Sequence, residues 1–371
     1  MAETIAPTET TRKAQHEMTV CNACRYCEAF CPVFQAMEER TTFSGGDIAY
    51  LANLCHNCGE CLYACQYAPP HEFGIDVPKT FSQARVESYE TFAWPSFAGR
   101  AFKRPWATML IALAVSVIVT AGLVGQPFVA CPTGFATCAS LDANFYAVVP
   151  HSVLVTLFSA VGLFAVLAIA LGHRRFVDAI SRTTHKGLSH NEAAYRTATS
   201  DALTLQHLHD AGDCVDAEEQ RTPWRRWMHH CTFYGFALCF ASTTVAAIYH
   251  LVFGWIAPYG YASAPVVLGT IGGIGLLIGP AGLFFVDRGR DPELTHGSQR
   301  ALDAPFLAML FATSLTGLLL LVWREQSFMP SLLAIHLTFV LALFLTLPYG
   351  KFVHGVYRAA ALLKFRREES R

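Results

Sequence analysis

Charged residues are scarce in this chain of 371 residues. Asp, Glu, Lys and Arg together make up only 15% of it, whereas 53% of its residues are hydrophobic and the mean hydropathy is +0.33. A soluble domain of this size needs more charge to cover its surface. The composition therefore argues against one soluble globule and favours a membrane protein. Because the net charge is −1, the chain also lacks the basic excess that would indicate a nucleic-acid partner.

Two further features are missing from the polar part of the chain before residue 105. Residues 1–18 contain no apolar core of the kind that a secretory signal needs, so we expect a polar tail here and a cytoplasmic location for the cysteine-rich segment after it. In the cytoplasm, clustered cysteines bind metal more often than they form disulfides. No glycine fingerprint for a dinucleotide follows a strand pattern in this part. We therefore expect no catalytic dehydrogenase residues here, and a substrate-oxidising site on another chain.

Cysteine, by contrast, is abundant, and eight of the thirteen cysteines fall within residues 21–65. They form the pattern C-x2-C-x2-C-x3-C twice, with Pro32 after the first copy and Gln66 after the second. This spacing is typical of two-cluster bacterial ferredoxins, in which three cysteines of a motif ligate one cubane and the fourth ligates the other. Structural zinc sites use C-x2-C pairs rather than such triplets. The predicted ligands are Cys21, Cys24, Cys27 and Cys65 for [4Fe–4S] cluster 1, and Cys55, Cys58, Cys61 and Cys31 for cluster 2.

Six apolar runs follow residue 105, each near the length of about 20 residues that crosses a bilayer. Their approximate bounds are 107–126, 148–172, 230–256, 264–286, 305–323 and 330–350. Lys and Arg concentrate before the first run, in the second and fourth connections and after the last run, which predicts a cytoplasmic head and C-terminus. The expected fold is an α-helical protein of the inner membrane. It has a ferredoxin-like domain at 19–105 and a six-span, haem-binding domain at 106–371, with a cytoplasmic insert at 173–227.

Smaller features of the membrane part also carry predictions. Cys131 and Cys138 fall in an outer loop, where either a disulfide or two free thiols fit the sequence. The glycine-rich fourth span (GTIGGIGLLIGPAG) indicates a face for close helix packing. Within the insert, residues 191–209 have a helical composition and predict a platform between head and membrane.

Histidines in two spans form a depth-matched set. The third span begins with His229 and His230 and ends near His250, whereas the sixth begins near His336 and is followed by His354. Because these spans are antiparallel, His250 and His336 share one depth, and His229 or His230 shares the other depth with His354. Histidine pairs at two depths fit two bis-histidine haems, and ionisable groups inside a bilayer are functional candidates.

The helical period favours His229 over His230, because His229 lies closer to the face that carries His250. A bend at the helix end leaves both open, and one haem rather than two is the alternative. Gly235 and its small neighbours further along the span are expected to leave room for a macrocycle. A packing or interfacial role is favoured for His151 and His173.

The motifs CHNCGECLYACQYAPPHEFGIDVP, RRWMHHCTFYGF, IYHLVFGWIAPY and LPYGKFVHG resemble those of the tricarballylate utilization protein B family (TcuB, or CitB-like), in order and over nearly the whole chain. The last spans also resemble, more loosely, haem b subunits of the nitrate reductase type. The resemblance implies a partner, the FAD-dependent tricarballylate dehydrogenase TcuA, which oxidises tricarballylate to cis-aconitate. This chain would then reoxidise the partner's flavin and pass electrons through the clusters and haem to quinone. The eight cysteines match the family position by position, and the histidines match by motif only.

Other functions remain open from the sequence. The chain could be a membrane-anchored iron–sulfur redox sensor, although a sensor needs no histidine set across the membrane. It could also be the membrane subunit of a heterodisulfide-reductase or succinate-type complex, which shares the electron path and differs in its partner. Tyr349 and Lys351 could line a quinone site, and interfacial anchoring is the alternative for both.

Overall fold

The computed structural model describes residues 8–130, 145–182, 192–208, 214–215 and 221–370. The described part is mostly helical. Its two short strands, β1 (Cys214–Val215) and β2 (Arg221–Thr222), pair in an antiparallel ribbon within the insert. Cys131 and Cys138 lie outside the described residues, so the choice between a disulfide and two free thiols stays open.

The head is built from six helices. They are α1 (Glu9–Cys24), α2 (Pro32–Glu38), α3 (Gly45–Leu54), α4 (Glu60–Tyr63), α5 (Val77–Phe92) and α6 (Ser96–Ala101). A hydrogen bond from the Thr11 amide to the Thr8 side chain caps α1, and Ser44 and Asp47 form a capping box on α3. Ala14 and Met18 of α1 are fully buried. The head therefore includes residues 9–18, ahead of the boundary at residue 19 that the sequence predicts.

The remaining helices form the membrane domain and its connections. They are α7 (Pro105–Ala130), α8 (Phe145–Val148), α9 (His151–Ser181), α10 (Glu192–Thr204), α11 (Trp224–Phe253), α12 (Ala264–Arg288), α13 (Gly297–Val322), α14 (Met329–Thr346) and α15 (Val353–Glu369). Among the described helices, α7, α9, α11, α12, α13 and α14 are long and apolar enough to cross a membrane. They coincide with the six predicted runs, so the prediction of six apolar helices of membrane-spanning length is confirmed.

Glycines bring α11 and α12 into close contact. A Cβ atom on Gly272 would lie 2.8 Å from the Cys239 amide nitrogen, and one on Gly235 would lie 2.9 Å from the Gly272 carbonyl oxygen. Both distances are shorter than real Cβ contacts, so larger residues would force the backbones apart. The predicted packing role of the glycine-rich span is confirmed. The expectation that Gly235 makes room for a macrocycle is wrong, because Gly235 faces α12.

The head packs on one end of the helix bundle, which we call the proximal end; the opposite end is the distal end. Phe92 of α5, Phe176 of α9 and Tyr357 of α15 meet there, and the last two rings are stacked at 4.7 Å. Helix α9 therefore continues beyond the predicted end of its span, because the head covers its apolar side chains.

Helix α15 ties the head to the insert. The Glu368 carboxylate accepts hydrogen bonds from Arg40 at 2.8 Å and from the Tyr50 hydroxyl at 3.0 Å, both in the head. Arg366 of the same helix pairs with Asp201 of α10 at 2.7 Å. Helix α10 also confirms the helical segment that the sequence predicts within residues 191–209 of the insert.

Candidate metal centres

The eight clustered cysteines line two cavities in the head. Cys21, Cys24, Cys27 and Cys65 line the first, and Cys31, Cys55, Cys58 and Cys61 line the second. All eight are free of disulfides. Each cavity takes three cysteines from one motif and the fourth from the other, which is the crossed grouping that the spacing predicts. Phe34 lines both cavities and lies between them.

Residues with positive φ bend the two cysteine loops. Helix α1 ends at Cys24 because Arg25 adopts a φ of 56°, and its amide donates to the Cys21 carbonyl at 2.8 Å. In the second loop, Asn57 has a φ of 58° and Gly59 a φ of 96°. The Asn57 amide donates to the Cys55 sulfur at 3.4 Å. Amides directed at sulfur stabilise the thiolate form that ligates metal.

The electrostatics of the cavities fit a cationic iron core. Burial, and then the neighbouring Cys65, raise the pKa of Cys21; burial, and then Cys58 and Cys55, raise the pKa of Cys31. Burial raises the pKa of Cys27 to about 11. Four thiolates in one such cavity would repel each other unless metal ions offset their charge.

The cysteine spacing favours a cubane over a single ion. A structural zinc site requires four ligands around one ion. A cubane instead takes one thiolate at each of four iron corners, so its ligands can stand further apart.

At the proximal end of the bundle, His229 of α11 and His354 of α15 face each other. Their ring centres are 5.9 Å apart, and the rings are inclined by 72°. Metal–imidazole bonds are about 2 Å long, and a ring nitrogen lies about 1 Å from the ring centre, so two rings on one iron have centres about 6 Å apart. The separation therefore fits one iron between the two rings.

A hydrogen bond also fixes the ring of His354. Its Nδ1–H donates to the Lys351 carbonyl at 2.6 Å, which leaves Nε2 with the lone pair that binds metal. Burial, and then the Lys351 ammonium, hold the pKa of His354 well below its usual range. The ring is therefore neutral, as a ligand must be. These residues fit an axial haem pair.

His230 is placed differently from its neighbour. Its ring stacks on Tyr234 at 5.6 Å with an angle of 17°. The structure therefore brings His229, rather than His230, to His354.

The distal histidines have other neighbours. The ring of His250 lies 3.7 Å from that of His151 and 5.2 Å from that of Tyr146. Nδ1 of His336 lies 3.1 Å from the Thr316 hydroxyl. The rings of His151 and His250 are too close for one iron to lie between them. A second haem on His250 and His336 stays a prediction.

Tyr349 and Lys351 hold the junction between head and bundle. The Tyr349 hydroxyl donates to the Trp94 carbonyl at 3.2 Å, and Lys351 pairs with Asp303 at 2.7 Å. These contacts give both residues a structural role, and the quinone site and the interfacial anchor each stay a prediction.

Three arginines of the membrane domain bind the cluster 2 loop, residues 55–58. Arg225 donates to the carbonyls of His56 and Asn57, both at 2.9 Å. Arg290 donates to the Asn57 carbonyl at 2.5 Å, and Arg358 donates to the Cys55 carbonyl at 3.3 Å.

These arginines place the cluster 2 loop beside the proximal histidines. Arg225 is four residues before His229 and Arg358 four residues after His354, which is about one helical turn in each case. From the sequence alone, these arginines indicate only the orientation of the membrane domain. For Arg225 and Arg358, the sequence signal for a role beside the cluster 2 loop is their spacing of four residues from a histidine.

Comparison with known proteins agrees with this organisation. The family model described as "Citrate utilization protein B Fer4-like domain" matches residues 14–91, and the model "Citrate utilization protein B" matches residues 101–371. The Escherichia coli protein "Citrate utilization protein B" is 46% identical over 371 residues, covering 98% of this chain and 94% of that protein. No solved structure matches. A ferredoxin-like head on a membrane domain indicates an iron–sulfur electron-transfer role, and the chain belongs to the citrate utilization protein B family.

Proposed function

We propose that this chain transfers electrons from a flavoprotein dehydrogenase to the quinone of the cytoplasmic membrane. It reoxidises the reduced FAD of its partner through two [4Fe–4S] clusters and haem b. The sequence resemblance supports a tricarballylate dehydrogenase (TcuA-like) as the partner. The name of the Escherichia coli relative refers to citrate, which is also a tricarboxylate. Either name therefore favours a partner that acts on a tricarboxylate.

The order of the sites is the observation that carries this proposal. The cluster 1 cavity adjoins the cluster 2 cavity at Phe34. The cluster 2 loop in turn contacts Arg225 and Arg358, each one turn from a proximal histidine. A relay needs such a sequence of neighbouring centres, whereas a sensor does not. This geometry supports electron transfer over the sensor hypothesis.

Electron entry is proposed at cluster 1. Its cavity is lined by Tyr26, whose side chain is 66% exposed, whereas the cluster 2 loop is covered by the membrane domain. When bound, the clusters and haem exchange single electrons, and clusters with four thiolate ligands have no open iron for a substrate. The chain itself positions these groups, shields them from water and brings them next to one another.

The proximal haem is assigned to His229 and His354. Their separation, and the hydrogen bond that orients His354, support this assignment. The distribution of Lys and Arg supports a cytoplasmic head, which places the proximal end at the inner face of the membrane. Electrons from a cytoplasmic flavoprotein would then reach the haem from the correct side.

Anaerobic mixing of the full-length chain in detergent with the reduced dehydrogenase tests the proposal. We expect the visible bands of haem b to change to the reduced form, and to return on addition of a soluble quinone. Cys55→Ser should slow haem reduction by the flavoprotein, whereas Cys239→Ser, in the packing face of α11, should not. If haem in the wild-type protein is not reduced by the flavoprotein, or quinone does not reoxidise it, the proposal is wrong.

A further inference from the structure

The cluster 2 loop receives positive charge from three separate elements of the membrane domain. Arg225 lies in the first turn of α11, Arg290 follows the end of α12, and Arg358 lies on α15. Each donates to backbone carbonyls of residues 55–58, at distances between 2.5 and 3.5 Å. Arg290 is only 7% exposed. Arg225 and Arg358 are half-buried, and all three arginines contact the backbone of the loop that carries Cys55 and Cys58. Glu60 lines the same cavity, but it is one acid beside three cations.

The buried ionisable side chain next to cluster 1 is an acid, which carries no positive charge at any pH. Glu17 lies one turn before Cys21 on α1 and is 1% exposed. Its carboxylate accepts a hydrogen bond from the Thr80 hydroxyl at 2.9 Å, and its partner Lys13 is 3.8 Å away with a side chain that is 54% exposed. Water screens Lys13 far more than it screens the arginines beside cluster 2.

Reduction adds one negative charge to a cluster that four thiolates already make anionic. Nearby buried cations stabilise the reduced form and raise the reduction potential, whereas a buried acid such as Glu17 supplies no such cation to cluster 1. We propose that Arg225, Arg290 and Arg358 hold the reduction potential of cluster 2 above that of cluster 1, and so direct electrons from the head toward the membrane domain. This inference rests on the proposed function, since it assumes that both clusters are bound.

The same arginines also attach the head to the bundle, and a structural role alone would leave the potentials unchanged. Substitutions that separate charge from hydrogen bonding distinguish the two roles. Arg358→Lys keeps the charge, and Arg358→Gln keeps a donor but removes the charge. Arg196→Gln removes an exposed arginine of α10, whose side chain is 80% exposed, and serves as the matched control.

The test is a redox titration of the full-length protein in detergent, purified anaerobically and followed by EPR. In the wild type we expect two cluster signals, and the cluster that remains in Cys24→Ser, which removes a cluster 1 ligand, should be the one of higher potential. Arg358→Gln should lower that potential and leave the other unchanged, whereas Arg358→Lys and Arg196→Gln should leave both near the wild-type values.

Two results overturn the inference. One is a cluster 2 potential that Arg358→Gln leaves unchanged while iron content stays at the wild-type value. The other is a wild-type protein in which cluster 2 has the lower potential or the two are equal. If Arg358→Gln loses iron, the titration of Arg225→Gln decides in its place. Failure of the proposed function looks different: either the wild type shows no cluster signals, or both clusters titrate but the flavoprotein does not reduce the haem or quinone does not reoxidise it.

Discussion

At the scale of single residues, His229 and His354 face each other, whereas His230, the neighbour of His229, has other contacts. His354 donates through Nδ1 to the Lys351 carbonyl, which leaves Nε2 with the lone pair that binds metal, and its ring centre lies 5.9 Å from that of His229. His230 instead stacks on Tyr234. His229 and His230 are adjacent in sequence but thus have different environments.

We expect His229→Ala and His354→Ala each to lose a b-type haem, because either change removes one of the two axial ligands. His230→Ala should keep the wild-type haem content. The measurement is the haem-to-protein ratio from optical spectra of the purified variants. Unchanged haem in His354→Ala, or a loss only in His230→Ala, contradicts the assignment.

The buried Glu17 carboxyl should make stability depend on pH. Burial raises its pKa from 4.5 to about 7, although Thr80, Lys13 and the Asp76 amide act in the opposite direction. Between about pH 4.5 and pH 7, the Glu17 carboxyl holds a proton in the folded chain and has released it in the unfolded chain. The free energy of unfolding therefore falls as pH rises through this window, by at most about 3 kcal/mol.

Glu17→Gln should remove this slope, since an amide does not titrate. Denaturant unfolding of the cluster-loaded protein between pH 5 and 8 measures it. Glu9→Gln, at the exposed start of the same helix, should keep the wild-type slope. Equal slopes in the wild type and Glu17→Gln would show that the carboxyl does not behave as its burial predicts.

At this scale, the sequence predicts those features whose pattern lies within one short segment of the chain. The cysteine grouping follows from spacings of three or four residues, and the structure has the same two sets. The role of Arg290 could not be predicted in this way, because its partner carbonyl on Asn57 lies 233 residues away in the chain. Nothing in the sequence near either residue specifies that contact.

At the scale of elements, the glycine face between α11 and α12 sets how closely the two helices pack. Gly272→Leu should destabilise the protein strongly, because the new side chain would meet the backbone of α11, which cannot move aside. Gly122→Leu on α7 is the control, since a Cβ there has nothing within 4 Å. Thermal unfolding in detergent should show a lower midpoint for Gly272→Leu only. Equal midpoints would mean that the two helices do not pack through this face.

The spans themselves are well predicted from hydropathy, because a bilayer requires long uncharged helices whatever their neighbours. Their ends are less well predicted. Helix α9 extends from the predicted end at residue 172 to Ser181, since Phe176 and Ile180 are buried against the head. Tertiary contacts, which local hydropathy does not report, determine that end.

At the scale of the whole molecule, Gly59 holds the head close to the membrane domain. Its φ is 96°, and a Cβ there would lie 2.7 Å from Cδ2 of Leu294. Gly59→Ala should therefore lower stability through backbone strain of about 1–2 kcal/mol and through the clash with Leu294. Adding Leu294→Ala should relieve only the clash and restore part of the loss. Thermal unfolding of the single and double variants measures both effects, and a Gly59→Ala protein as stable as the wild type would contradict this close contact.

The central claim is that one chain holds clusters and haem in a continuous series, from an exposed head to the interior of the bundle. Its most direct test is combined EPR and optical spectroscopy on the full-length protein, purified anaerobically. The account predicts two [4Fe–4S] clusters per chain on reduction, together with the Soret band of a b-type haem. A protein that shows no cluster signal, or no haem, contradicts it.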